Sequence, residues 1–146
     1  IRQAQDYLEQ PLLIENVSSY ITFKDSVMYE AEFYVRVVEE ANALMLLDVN
    51  NVFVSSFNHG FDAREYIDQI PIERVQQIHL AGHLNLGDNI IDTHDHPVIQ
   101  QVWDLYSYTI KRLGYVSTMI ERDAHIPPLH ELVDELGVAR KLALQA

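Results

Sequence analysis

The chain contains no cysteine. That excludes a disulfide framework, a thiolate nucleophile, a cysteine-ligated zinc and an iron–sulfur cluster. Any metal site must therefore be built from carboxylates, imidazoles and amides. The G-x-G-x-x-G turn of a dinucleotide-binding sheet is absent, and so is the Gly-x-Ser-x-Gly elbow of a serine hydrolase. The serines near positions 18 and 55 have no obvious base beside them in the sequence. Basic residues are few: Lys and Arg number 10 against 22 Asp and Glu, a net charge of −12. A surface so acidic repels phosphate backbones and weighs against nucleic acid as a partner. No apolar run approaches the roughly twenty residues of a membrane span, so no membrane is expected.

What is present is the composition of a globular domain, 48% hydrophobic and 22% charged over 146 residues, enough for one core. The sequence opens at Ile1 with no initiator Met, basic n-region or apolar h-region, and residues 1–10 read as an amphipathic helix with Ala4 and Leu8 on one face. The expectation is a piece of a longer, cytoplasmic protein.

Low-complexity segments are lacking, and an alternation organises the chain. Short apolar runs at Pro11–Ile14, Leu44–Leu47, Val75–Leu80 and Val116–Ile120 read as strands buried on both faces, as in a parallel sheet. Helical patterns lie between them. Ser26 is the expected N-cap of a helix whose face is Val27, Ala31, Tyr34, Val38 and Ala41. A short helix is expected over Asp62 to Gln69, stopped by Pro71. Pro97 suits the first turn of the next helix, with Ile99, Val102, Tyr106, Ile110 and Leu113 inward and an end at Gly114. Pro128 opens the last, with a break at Gly137. Leu13 to Leu46 is 33 positions and Leu46 to Ile78 is 32, the length of a β/α unit. This is an α/β fold with a parallel sheet, either open and doubly wound or part of a (β/α)8 barrel. A full barrel needs about 250 residues and eight strands, so about half of one would be here.

Each apolar run ends in chemistry. Glu15 and Asn16 follow the first, Asp48, Asn50 and Asn51 the second. His79 closes the third, with His83 shortly after, and Glu121, Arg122 and Asp123 follow the fourth. In barrels and open α/β sheets this edge carries the active site. A bland reading, acids that open loops and cap helices, accounts for any one strand but poorly for all four. A second cluster, Asp92-Thr93-His94-Asp95-His96, lies after the third strand. Alternation lets Asp92 and His94 face one centre, while Asp95 or His96 is expected to cap the helix at Pro97. Asn58-His59-Gly60 reads as a turn with a loop histidine. His125 and His130 read as surface residues, and Trp103, Tyr106 and Tyr108 as packing. The donor set exceeds what one catalytic zinc takes; it suits iron or manganese and two or more ions bridged by carboxylate.

Glu15-Asn16-Val17-Ser18-Ser19-Tyr20, Leu46-Leu47-Asp48-Val49-Asn50-Asn51-Val52, Asn58-His59-Gly60-Phe61-Asp62-Ala63, Ile78-His79-Leu80-Ala81-Gly82-His83, Ile91-Asp92-Thr93-His94 and Ile120-Glu121-Arg122-Asp123 resemble motifs of the DUF692 (UPF0276) family, the MbnB-like multinuclear non-heme iron-dependent oxidative enzymes. They occur in family order from about residue 10 to residue 128. The resemblance implies a TIM barrel of the xylose-isomerase-like type holding two or three iron ions, with residues 1–146 as the C-terminal part and the first strands, with two further iron-binding histidines, absent. It also implies metal ligation by Glu15 as a bridge, Asp48 and His79 on one iron, Asn50, Asp92 and His94 on a neighbour, and Glu121. His83 is a ligand or an outer residue; Asn16, His59 and Asp123 are outer residues. Arg122 stands where the family commonly has Trp, a change expected in the pocket wall. Family members use iron and O2 to modify cysteine-containing precursor peptides, often with a partner protein that presents the peptide.

Three functions follow as expectations. The first is an iron-dependent oxidoreductase acting on a peptide in the full-length protein. The second is a sugar isomerase or endonuclease-like barrel enzyme using manganese or zinc. The third is an incomplete barrel that is itself inactive and self-associates through open sheet edges.

Overall fold

A computed structural model describes residues 1–146. The elements are α1 (Arg2–Leu8), β1 (Leu13–Glu15), α2 (Glu30–Ala41), β2 (Leu44–Asp48), α3 (Val49–His59), α4 (Ala63–Gln69), a 3-10 turn (Ile72–Arg74), β3 (Val75–Leu80), a hairpin of β4 (Leu84–Asn85) and β5 (Ile90–Ile91), α5 (Gln100–Leu113), β6 (Ser117–Ile120) and α6 (Leu129–Gln145).

The main sheet has four strands in the order β1-β2-β3-β6, all parallel. A doubly wound sheet reverses its strand order; this one follows the chain. Parallel neighbours in chain order need crossover connections, and the order is compatible with a fragment of a (β/α) barrel. Along the helix-covered face, Met45, Leu47, Ile78 and Leu80 are fully buried against Val38, Val102, Tyr106 and Ile110. Each such side chain is worth about 1.5–3 kcal/mol. The opposite face carries Leu13, Leu46, Gln77 and Met119, and it is open: Leu13 is 37% and Met119 40% exposed. Burial on both faces, expected for all four runs, is thus not found in this chain. One layer of helices covers one side only.

The helices differ from the expectations in instructive ways. α2 starts at Glu30, and Val27 is 98% exposed, so Ser26 does not cap it. The segment before α2 is tied instead to α3, the Ser19 N–H donating to Ser55 Oγ and the Ser19 and Thr22 hydroxyls meeting His59. α2 still buries Ala31, Tyr34, Val38 and Ala41, with Glu30 and Glu32 at the positive end of its dipole. α3 is an element the periodicity does not announce. Its buried positions include Asn50, Asn51, Ser55 and Ser56, so its inward face does not read as apolar. Its start signal is present: the Asp48 carboxylate accepts the Asn51 N–H at 2.7 Å, and Gly60 ends it at φ 72°.

Asp62 caps α4 through the Arg64 N–H. α5 begins at Gln100, three residues after Pro97, and neither Asp95 nor His96 caps it. Asp95 is engaged by Thr93 and His96, while the Val98 N–H is taken by Glu135 at 2.6 Å. α6 is continuous through Gly137, because Leu136 and Ala139 pack on the core and hold the helix on both sides of it.

Candidate metal centre

Strand register assembles the centre. Asp48 and His79 are lateral partners across β2 and β3, and His79 is opposite Met119 on β6. Glu121 lies two residues beyond Met119, and Glu15 is opposite Leu46, two residues short of Asp48. All four side chains therefore leave the sheet on the open face, at its C-terminal rim.

His79 Nδ1 is 3.4 Å from Glu15 Oε1 and 2.9 Å from Glu121 Oε2. His94 Nδ1 is 3.3 Å from Glu121 Oε2 and 3.9 Å from Asp123 Oδ2. Its Nε2 is 2.6 Å from Asp92 Oδ1 and 3.8 Å from Asp48 Oδ2. Two sets of donor atoms come within 4.8 Å of one another: Glu15, Asp48, His79 and Glu121, and separately His94, Glu121 and Asp123. Glu121 is common to both. Asn50 and Asp92 stand beside these sets, bonded to each other through Asn50 Nδ2 and Asp92 Oδ1 at 2.7 Å.

The polar interior here is deep. Asp48 is fully buried and His79 and His94 are each 7% exposed. Asp48 Oδ1 takes the α3 cap, but Asp48 Oδ2 has no hydrogen-bond partner, nor does the buried His94 Nε2. Asp92 Oδ1 nonetheless lies 2.6 Å from that nitrogen as an ion-pair contact. Burial pushes the Asp48 carboxyl up to about 8, helped by the Asp92 and Glu15 charges and opposed by the Asn51 N–H and His94. Burial would lower His94, yet Asp92, Asp48 and Glu121 together hold it up to about 9. Glu15 is raised by burial and then by Glu121 and Asp92, against His79. A buried carboxylate without a counter-charge costs several kcal/mol. An unpartnered buried carboxylate oxygen, Asp48 Oδ2, beside a buried imidazole crowded by carboxylates is what a bound cation satisfies. The residues fit a metal.

Outer residues hold the donors. The Asn16 side chain pairs with the Asp48 backbone in both directions, Nδ2 to the carbonyl at 2.9 Å and the Asp48 N–H to Oδ1 at 2.8 Å. It thereby extends the β1–β2 ladder by one residue. Gln77, which the sequence reading passed over, lies 3.2 Å from His79 Nε2 through its amide. Its signal was its place, two residues before His79 on the same face. His94 has φ 47°, a left-handed backbone that costs a non-glycine residue on the order of 1–2 kcal/mol, and its carbonyl accepts the Asp123 N–H at 2.8 Å. Strain of this kind is retained where it aims a functional side chain.

Other candidates fall outside the centre. His59 ends α3 and lies 3.0 Å from Ser19 Oγ and 3.2 Å from Thr22 Oγ1, so a serine near 18 does have a histidine beside it. Both ring nitrogens are taken by loop hydroxyls and Glu30 lies close by, so the contact ties a loop down. Asn58 pairs with both backbone groups of Ile90, fixing the β4–β5 hairpin, itself unforeseen. Arg122 turns to the helix side and bonds Glu135 at 3.0 Å; it forms no part of the wall facing the donors. His125 is exposed and lies 3.2 Å from Asp95. His130 is exposed, Trp103 and Tyr106 pack in the core, and Tyr108 packs against it while donating its hydroxyl to Asp68.

Residues 1–144 match the family model of the RiPP precursor modification enzymes MbnB/TglH/ChrH. The chain belongs to this family. Its curated relatives bear the name UPF0276 protein. One from Caulobacter vibrioides is 51% identical over 140 residues, covering 96% of this chain and 50% of its own length. One from Rhizorhabdus wittichii is 55% identical over 140 residues, again 96% of this chain and 50% of the relative. One from Vibrio parahaemolyticus is 44% identical over 149 residues, 99% and 52% respectively. This MbnB/TglH/ChrH-family chain thus spans about half the length of the curated relatives it matches. No helix in it is long and apolar enough to cross a membrane.

Proposed function

We propose that residues 1–146 are the C-terminal part of a single TIM barrel of the xylose-isomerase-like type, and that the whole protein is a multinuclear iron enzyme that uses O2 to oxidise cysteine-containing precursor peptides. The observation that carries this reading is the unpartnered buried Asp48 Oδ2 within a crowded set of oxygen and nitrogen donors that includes the buried His94. The family match supports it.

Glu15, Asp48, His79 and Glu121 would hold one ion, and His94, Glu121 and Asp123 a second, with Asn50 and Asp92 adjoining. Iron bound there supplies electrons for the reduction of O2. The chain's own part is to aim and to shield. Asn16 fixes Asp48 from the backbone side, Gln77 orients His79, and the open sheet face leaves a side on which further barrel strands close the pocket. In this reading the sulfur belongs to the substrate. A peptide-presenting partner protein completes the reading.

The test uses the full-length protein, purified anaerobically with iron and offered a cysteine-containing peptide. O2 uptake matched by a mass change in the peptide is expected. Turnover of a sugar or a nucleic acid with manganese or zinc, without O2 uptake, would replace this reading with the isomerase or endonuclease one.

A further inference from the structure

His83 is a buried histidine that neither donor set uses. It lies three residues beyond β3, is 5% exposed, and stacks on Phe53 of α3 with ring centroids 5.3 Å apart. Its Nδ1 is 2.7 Å from Asn50 Oδ1. The other end of that amide, Asn50 Nδ2, donates to Asp92 Oδ1 at 2.7 Å, and the same Asp92 oxygen is 2.6 Å from His94 Nε2.

The direction of each bond in this chain follows from the one beside it. An ionised carboxylate only accepts, so the Asn50 group facing Asp92 must be its NH2. The group facing His83 is then the carbonyl oxygen, so His83 Nδ1 carries a proton and donates. An asparagine amide has two nearly isosteric ends, and rotating it by half a turn would present its oxygen to Asp92, oxygen against oxygen. Asp92 disfavours that rotation, and His83 with its proton on Nδ1 opposes it from the other end, where N–H would meet N–H. Phe53 fixes the imidazole plane, and Asn50, in the first turn of α3, is itself fully buried.

We propose that His83 is a positioning residue: through the Asn50 amide it holds Asp92, and with it the His94 end of the centre, in the geometry that takes a metal ion. This rests on the metal reading above and adds to it a residue that acts without ligating. Residues of this kind typically govern metal affinity by about 10- to 100-fold.

The test compares His83→Asn and His83→Leu in the full-length protein. The Asn side chain offers an N–H near the place of Nδ1 and nothing at the place of Nε2; Leu offers neither. Two readouts are taken: cobalt(II) titration followed by its visible absorption, and hydrogen exchange of the Asn50 side-chain amide in metal-free protein by NMR. Expected is wild-type-like cobalt binding in His83→Asn and a loss of about 10- to 100-fold for one ion in His83→Leu, with fast Asn50 amide exchange in the Leu variant alone. Equal cobalt loss in both variants overturns the proposal, since His83 would then ligate through Nε2. Unchanged cobalt spectra and Asn50 exchange in both overturn it as well. Wild-type protein that takes up no cobalt overturns the metal reading itself, and the exchange data then decide separately whether His83 holds Asn50.

Discussion

Replacing Asp48 with Asn removes a buried charge while keeping an oxygen where the Asn51 N–H needs one. The magnitude follows from the two states of the carboxyl. Its ordinary value is 3.8, and in the folded chain burial pushes it up to about 8. At pH 7 the unfolded chain leaves this group ionised, whereas the metal-free folded chain must keep it protonated or bear its buried charge. The penalty is about 4 kcal/mol. Because the folded value is the raised one, stability is fully present below about 4 and is lost as pH climbs towards 8. Metal-free wild-type protein is therefore less stable at pH 8 than at pH 5, and Asp48→Asn recovers a large part of the difference. His94 and Glu15, also raised, keep a residual slope of the same sign. The assay is denaturant unfolding of the full-length protein in chelator at three pH values. With saturating metal the order reverses, and wild type becomes the more stable, since only it keeps the anionic ligand. Equal stability of metal-free wild type at pH 5 and pH 8, or a variant less stable than wild type in chelator, would refute the reasoning.

Glu121→Gln should cost more bound metal than Glu15→Gln, because Glu121 belongs to both donor sets and Glu15 to one; metal analysis after dialysis reads the difference. A Cβ at Gly82 would collide with the carbonyls of His96 and Pro97, so Gly82→Ala is expected to destabilise by about 1–3 kcal/mol and to weaken metal binding by displacing the Asp92–His94 loop. Glu135→Ala strands the buried Arg122 and frees the Val98 N–H, a loss of about 3–5 kcal/mol measured by denaturant unfolding.

The strands and the residues at their ends were legible because two signals coincide there. Short runs rich in apolar residues mark the strands, and a carboxylate or imidazole at the end of each marks the rim. The β3 bounds, Val75–Leu80, match the expected run, although Gln76, Gln77 and His79 interrupt it. α3 was hidden because polar side chains fill much of its buried face: Asn50 and Asn51 serve the centre, and Ser55 accepts the Ser19 N–H. Function there overrides the apolar periodicity on which helix recognition depends. The start of α2 was misplaced because Ser26 has the chemistry of a cap, yet its N–H is turned back to Phe23 in a local turn. The approach of the donors to one another is not legible from spacing alone. Spacing brings Asp92 and His94 to one place, but only the register of β3 with β6 reveals that Glu121 lies between His79 and His94.

Metal analysis of full-length protein purified without oxygen, with Mössbauer spectra of the same sample, tests the central claim most directly. Two or three iron ions per chain, falling on Glu121→Gln substitution, is the result predicted. Protein free of iron, or iron content unaffected by substituting Glu121, Asp48 and His94 together, would contradict it.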